Sequence, residues 1–172
     1  MARVQTGPMT ATERTLLVLR HAKSDWSGGE ADIDRTLNRR GQGQATDAGR
    51  WLAEQFPAID LAVVSPATRA RTTWALASAE FGTPPNARVD ERAYAASVSD
   101  LLQIVQELPD EARTVILVAH NPGLEDLVDL LSGESVTLAT STLTVLAFPG
   151  SWAEANPATA SLLASGRPPA LA

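Results

Sequence analysis

The residues able to do chemistry are few. The chain has two histidines, His21 and His120, no cysteine, and one lysine, Lys23, against thirteen arginines. His21 directly follows Arg20 at the end of the apolar run Leu16-Leu-Val-Leu19, and His120 follows Ile116-Leu-Val-Ala119. Both imidazoles therefore lie immediately beyond a short buried strand. In an α/β sheet that position, outside the strands' carboxyl ends, is where ligands sit. Arg69 lies in the first turn of a helix that follows a third apolar run, Leu61-Ala-Val-Val64. Helical side chains lean toward the helix N-terminus, so Arg69 can reach back over the same edge. Two guanidiniums and two imidazoles converging on one pocket suit a phosphoryl group. Arginine grips phosphate oxygens through bidentate, charge-assisted hydrogen bonds and stays ionised. Ser24 could add a hydroxyl donor to the same group, or be bonded locally in its loop. Arg71 faces elsewhere and is read as a surface residue.

The elements that must position these groups follow from hydrophobic period and punctuation. Strands are expected at Thr15–Arg20, Leu61–Val64 and Thr114–Val118, with a short one near Arg88–Arg92 and two later ones at Thr142–Phe148 and Ala158–Ser165. Helices are expected over Arg39–Phe56, from Ser65 to about Phe81, over Ser99–Leu108, and from Asn121 to Gly133. Ser65-Pro66 and Asn121-Pro122 each read as a cap followed by a first-turn proline. Continuous apolar strands alternating with amphipathic helices imply a three-layer α/β/α sandwich with a mainly parallel central sheet. Residues 1–14 read as a flexible arm, 15–166 as one domain and 167–172 as a flexible tail. Met9 is an alternative start to Met1.

Composition narrows the function classes. The 172 residues are enough for one compact domain. With 44% hydrophobic and 20% charged residues, the chain is ordinary globular protein. Net charge is −6, so a basic nucleic-acid-binding face is not expected. No run is long enough to span a membrane, and no secretory signal is visible. The lack of cysteine removes disulfides, thiolate zinc sites and Cys nucleophiles, and fits a cytoplasmic setting.

The chain resembles the histidine phosphatase superfamily, which includes the phosphoglycerate mutases. Arg20-His-Ala-Lys-Ser-Asp-Trp26 is similar to the family's Arg-His-Gly-x-Ser/Thr-x-Trp. Ser65-Pro-Ala-Thr-Arg69-Ala-Arg-Thr-Thr73 is similar to its Ser-Pro-x-x-Arg-Ala-x-x-Thr segment, and Val118-Ala-His120-Asn-Pro-Gly123 to its second-histidine motif. Asp34-Arg35-Thr36-Leu37 through Gly41 is similar to its Arg-Pro-Leu-x-x-x-Gly stretch. Ala22 in place of glycine, the His120-Asn-Pro-Gly ending and the lack of a long lid insertion look most like the SixA branch of phosphohistidine phosphatases.

The resemblance implies a phosphoglycerate mutase-like fold and covalent catalysis without metal or cofactor. His21 would be the nucleophile, with Arg20, Arg69 and His120 binding the phosphoryl group and stabilising its charge. The mutases carry a general acid in a Glu-Arg-x-Tyr segment. Glu91-Arg92-Ala93-Tyr94 occupies a comparable place, so Glu91 is a possible general acid, or else a surface carboxylate. The substrate implied is a phosphorylated protein carrying phosphohistidine. A small phosphate ester is the alternative, and a non-catalytic phosphate-binding module is a further one.

Overall fold

The computed structural model describes residues 13–172. Six strands form one sheet: β1 (Arg14–Arg20), β2 (Leu61–Val64), β3 (Ala87–Val89), β4 (Thr114–Ala119), β5 (Leu143–Phe148) and β6 (Ser161–Gly166). Their order is β3-β2-β4-β1-β5-β6. β3, β2, β4 and β1 run parallel, while β5 and β6 join antiparallel at one side. Four helices connect or flank them: α1 (Arg39–Gln55), α2 (Thr68–Ser78), α3 (Val98–Gln106) and α4 (Gly123–Ser132). The mixed α/β architecture expected from the sequence is the one found, and it is the phosphoglycerate mutase-like fold.

The central strands β1, β2 and β4 are apolar along most of their length because both faces of the sheet are covered there, whereas the edge strands β3 and β6 are largely exposed. Leu16, Val18, Val115 and Leu117 pack with Leu101 and Ile104 of α3 and Leu124 and Leu127 of α4. Their alternate neighbours Leu17, Leu19, Ile116 and Val118 pack on the other face with Leu52 of α1 and Trp74 and Ala77 of α2. One residue's shift in register would exchange the two sets, so the pairing is strongly specified. Each fully buried leucine contributes about 1.5–3 kcal/mol relative to an exposed one.

Local chemistry sets most boundaries. The Asn38 side chain accepts the Gly41 N–H at 2.9 Å and starts α1. Ser97 and Asp100 form a reciprocal capping box on α3. Two expected caps are not caps. α2 begins at Thr68, with Ala67 in the capping position and no side-chain cap; the Ser65 hydroxyl accepts the Ala67 N–H just ahead of the helix and also bonds His120. α4 begins at Gly123, and the Asn121 amide instead donates to Glu125 Oε1 and to the Leu138 carbonyl. α2 also stops at Ser78, short of Phe81.

The expected N-terminal arm falls mostly on residues 1–12, outside the described residues. Arg14, placed in that arm, is the first residue of β1, and its guanidinium donates to the Gly150 and Asp110 carbonyls. The segment 167–172, expected as a tail, has contacts with the domain. Arg167 donates to the Thr140 carbonyl, Pro169 is buried, and Leu171 packs against the α1/α2 side of the core.

α1 and α2 touch at Gly49, where a Cβ would lie 2.3 Å from the Ala77 carbonyl oxygen. The backbone there has no flexible end that could yield. Gly49→Ala is expected to push the helices apart and destabilise the fold by about 1–3 kcal/mol, read from chemical denaturation. Gly43→Ala, at an open position on the same helix, is expected to be neutral or stabilising.

Candidate active site

The site is set by the central strand pair. β1 and β4 are parallel neighbours, and Arg20 lies opposite Ala119. The next residue on each strand is a histidine. The His21 N–H bonds to the Ala119 carbonyl at 3.1 Å, and the two imidazole centroids stand 5.0 Å apart. On the far side of β1, the Ser141 N–H lies 3.0 Å from the Arg20 and His21 carbonyls. The backbone leaving β1 is thus held from both neighbours.

His21 is only 6% exposed, and its Nδ1 lies 2.8 Å from the Ala22 carbonyl. That carbonyl can only accept, so Nδ1 carries the proton and Nε2 presents its lone pair. Burial, opposed by the Ala22 bond and reinforced by Arg69, Arg20 and Arg35, lowers the pKa of His21 to about 4. His21 is neutral at pH 7, the form a nucleophile requires.

His120 is fixed by Ser65. Ser65 is fully buried, and its Oγ lies 2.7 Å from His120 Nε2 while accepting the Ala67 N–H at 3.2 Å. Among the described residues, His120 Nε2 is the one group able to take the hydroxyl proton. The Ser65 O–H therefore donates to Nε2, and the His120 proton sits on Nδ1. Burial first, then the charges of His21, Arg69 and Arg20, lower the pKa of His120 to about 3 despite Asp32. Both rings are therefore neutral at pH 7, His21 presenting a lone pair at Nε2 and His120 an N–H at Nδ1.

The arginines are oriented by carbonyls and one carboxylate. Arg20 donates to the Leu138 carbonyl at 2.8 Å. Leu138 is in turn held through its N–H by Glu125 Oε1 at 2.9 Å. Arg69, buried in the first turn of α2, donates to Asp32 twice, to the carbonyl at 2.7 Å and to Oδ2 at 3.1 Å. Asp32 also accepts from Arg35 at 3.0 Å and from the Tyr94 hydroxyl at 2.6 Å. The Tyr94 bond and the two arginines hold its carboxyl well below the usual range, so it is an anion throughout. The Tyr94 ring meets His120 edge-on, with centroids 5.8 Å apart. Among the described residues, Nε of Arg20, Arg35 and Arg69 and Nδ1 of His120 are buried with no hydrogen-bond partner. Unpaired buried donors are costly, about 1–3 kcal/mol each, so a ligand that brings acceptors to them would be favoured. A tetrahedral oxyanion supplies them.

Of the four leading residues, His21 and His120 meet ring to ring, and Arg20 and Arg69 lie close enough to act electrostatically on both. Ser24 is buried, and its hydroxyl accepts from Arg35, so it is occupied locally. Glu91 is exposed in a short 3-10 turn, and among the described residues no hydrogen bond ties its side chain to the cluster. Tyr94, three residues on, makes the contact instead. Asp32, Ser65, Arg35 and Tyr94 escape sequence reasoning. Ser65 has a stronger ordinary reading as a cap, and Asp32 lies in an acidic loop indistinguishable from a solvated one. The available signal was need: two buried arginines require an anion, and the loop that follows His21 is acidic.

Three outcomes follow from this geometry. Ser65→Ala removes the bond that sets the His120 tautomer and is expected to lower kcat about tenfold, the worth of one hydrogen bond. The measurement is steady-state turnover, with circular dichroism to check the fold. The acid limb of kcat/KM should fall near pH 4 rather than near 6.5, because His21 must lose its proton to react. Both histidine pKa values are lowered in the fold, so the unfolded chain binds more protons between pH 6.5 and 4. Stability is therefore expected to decline as pH falls through that window, and His120→Asn should flatten the decline.

Residues 16–129 match the model for the histidine phosphatase superfamily, branch 1. An uncharacterised protein of Mycobacterium tuberculosis strain H37Rv is 36% identical over 156 residues, covering 84% of this chain and 96% of that one. A 2,3-bisphosphoglycerate-dependent phosphoglycerate mutase of Beijerinckia indica is 39% identical, over 48% of this chain and 44% of the mutase. Among solved structures, a candidate phosphohistidine phosphatase SixA from Nakamurella multipartitia superposes with a TM-score of 0.81 at 30% identity, covering 91% of this chain and 96% of that one. Its counterpart from Agrobacterium tumefaciens gives 0.78 at 27% identity, covering 90% and 98%. The family model spans well over half of the chain, so the chain belongs to the histidine phosphatase superfamily, with its phosphoglycerate mutase-like fold, and is a phosphatase.

Proposed function

We propose that the protein hydrolyses phosphohistidine on proteins, through a covalent phosphohistidine of its own and without a metal ion. The observation that carries this is the state of His21: neutral, its Nδ1–H tied to Ala22, its Nε2 free beside His120. In the first step Nε2 attacks phosphorus, an N–P bond forms, and the substrate's imidazole leaves with the bonding pair. In the second step water attacks phosphorus, inorganic phosphate departs, and His21 regains its lone pair. The equatorial oxygens carry the charge in both steps. Arg20, Arg69 and the His120 N–H meet it, supplying the cationic stabilisation that metal ions supply elsewhere.

Two observations favour an imidazole leaving group. Glu91 is exposed and lacks a bond to the cluster, and Asp32 is held ionised, so neither carboxyl is presented as a proton donor. An alkoxide leaving group needs such a donor, whereas an imidazole needs less help. The solved structures at 30% and 27% identity point to the same substrate class through their own descriptions.

The test is turnover in EDTA on p-nitrophenyl phosphate and on a small protein phosphorylated on histidine, for wild type and His21→Ala. Expected are EDTA-resistant activity with the phosphohistidine protein preferred, an acid-labile phosphoenzyme, and a loss of at least about 1,000-fold in the variant. Activity retained by His21→Ala, or abolished by EDTA, would overturn the mechanism.

A further inference from the structure

Trp26 lies on the loop between His21 and α1 and is 72% exposed, the most exposed large apolar side chain among the described residues. It does not dangle. The Arg35 guanidinium stacks over one face, 3.7 Å from the ring centroid. Arg35 is itself buried and fastened to Ser24 and Asp32. The loop beneath is closed by backbone pairing: Ser24 bridges to Leu37, the Asp25 N–H bonds to the Thr36 carbonyl at 2.7 Å, and the Asn38 N–H to the Lys23 carbonyl at 3.0 Å. Trp26 is thus the first residue beyond a fixed two-stranded base, with one face backed and the other open. Asp32 links Arg35 to Arg69, so the ring stands two side chains away from an arginine of the phosphoryl site.

A rigid, pre-stacked indole exposed beside an active site has the character of an interface anchor, where Trp and Arg are enriched. The charge around it says what it anchors. Asp25, Glu30 and Asp34 lie on the same loop, with Lys23 as the one exposed cation between His21 and Asn38, and the chain as a whole carries −6. Such a rim repels a nucleotide or another polyanion and favours a neutral or basic segment.

On the reading that the substrate is a phosphohistidine protein, we infer that Trp26 is the docking anchor for its chain: a neutral or basic segment beside the phosphorylated histidine lies across the open face of the indole, within the acidic rim. Trp26 does not touch the transferring group, so its contribution is to substrate capture.

The experiment uses two peptides phosphorylated on a single histidine, one flanked by lysines and one by glutamates, with phosphoramidate as a P–N donor that has no chain to dock. Wild type, Trp26→Ala and Trp26→Phe are compared, each with its thermal midpoint measured. Expected are a wild-type preference for the lysine-flanked peptide and a fall of about tenfold in its kcat/KM for Trp26→Ala, carried by KM. Trp26→Phe, keeping a ring over Arg35, should fall less. Phosphoramidate turnover should stay within about twofold in both variants. An equal loss on peptides and phosphoramidate would overturn the inference and make Trp26 a support for Arg35. An undiminished peptide kcat/KM in Trp26→Ala would overturn it while leaving the proposed function intact. Wild-type turnover of phosphoramidate but of neither peptide would overturn the phosphohistidine-protein reading and the docking anchor with it.

Discussion

The parallel pairing of β1 with β4 is the constraint on which the site depends. Arg20 opposite Ala119 puts His21 and His120 in step as the two strands end. A slip of one residue would invert the apolar faces of a strand covered on both sides, so the core defends this register. The histidine pair inherits its spacing from that packing. Hydrogen bonds to the Ala119 carbonyl and from the Ser141 N–H then fix the backbone around His21 from both flanking segments.

Placing two imidazoles and two guanidiniums together is electrostatically unfavourable, and the fold meets the problem in two ways. Burial lowers both histidine pKa values, so the pair stays neutral rather than adding charge to the arginines. The arginines keep their charge and are partnered from behind. Asp32 binds Arg69 and Arg35, and Glu125 holds the segment whose carbonyl accepts from Arg20. Each guanidinium spends part of its donor set on protein acceptors and is oriented by doing so. Among the described residues, buried donors with no hydrogen-bond partner on Arg20, Arg69 and His120 come from three segments distant in sequence that only the closed fold assembles.

This arrangement also separates binding from recognition. The two histidines and Arg20 sit at the ends of β1 and β4, and Arg69 in the first turn of α2. The loop after His21 sends Asp32 inward to Arg69 and Trp26 outward to solvent. One short segment thereby contacts both the reacting group's binding site and whatever lies outside it.

Hydrophobic period and motif spacing were enough to read the strands, the four helices, the mixed α/β sheet and the family, because buried strands write themselves as continuous apolar runs. The histidines were legible for the same reason: each stands one residue past such a run. Tertiary structure alone decided the partners. Ser65 reads as a helix cap from its Ser-Pro dipeptide, but its hydroxyl faces His120 across 55 positions of chain. Glu91 and Tyr94 sit in one short stretch, and the 3-10 turn between them leaves the carboxylate exposed while Tyr94 reaches Asp32, 62 residues away in sequence. A residue's type and its neighbours in sequence set which bonds it can make. The bond it does make depends on which distant segment the packing brings within about 3 Å, a quantity with no local signature.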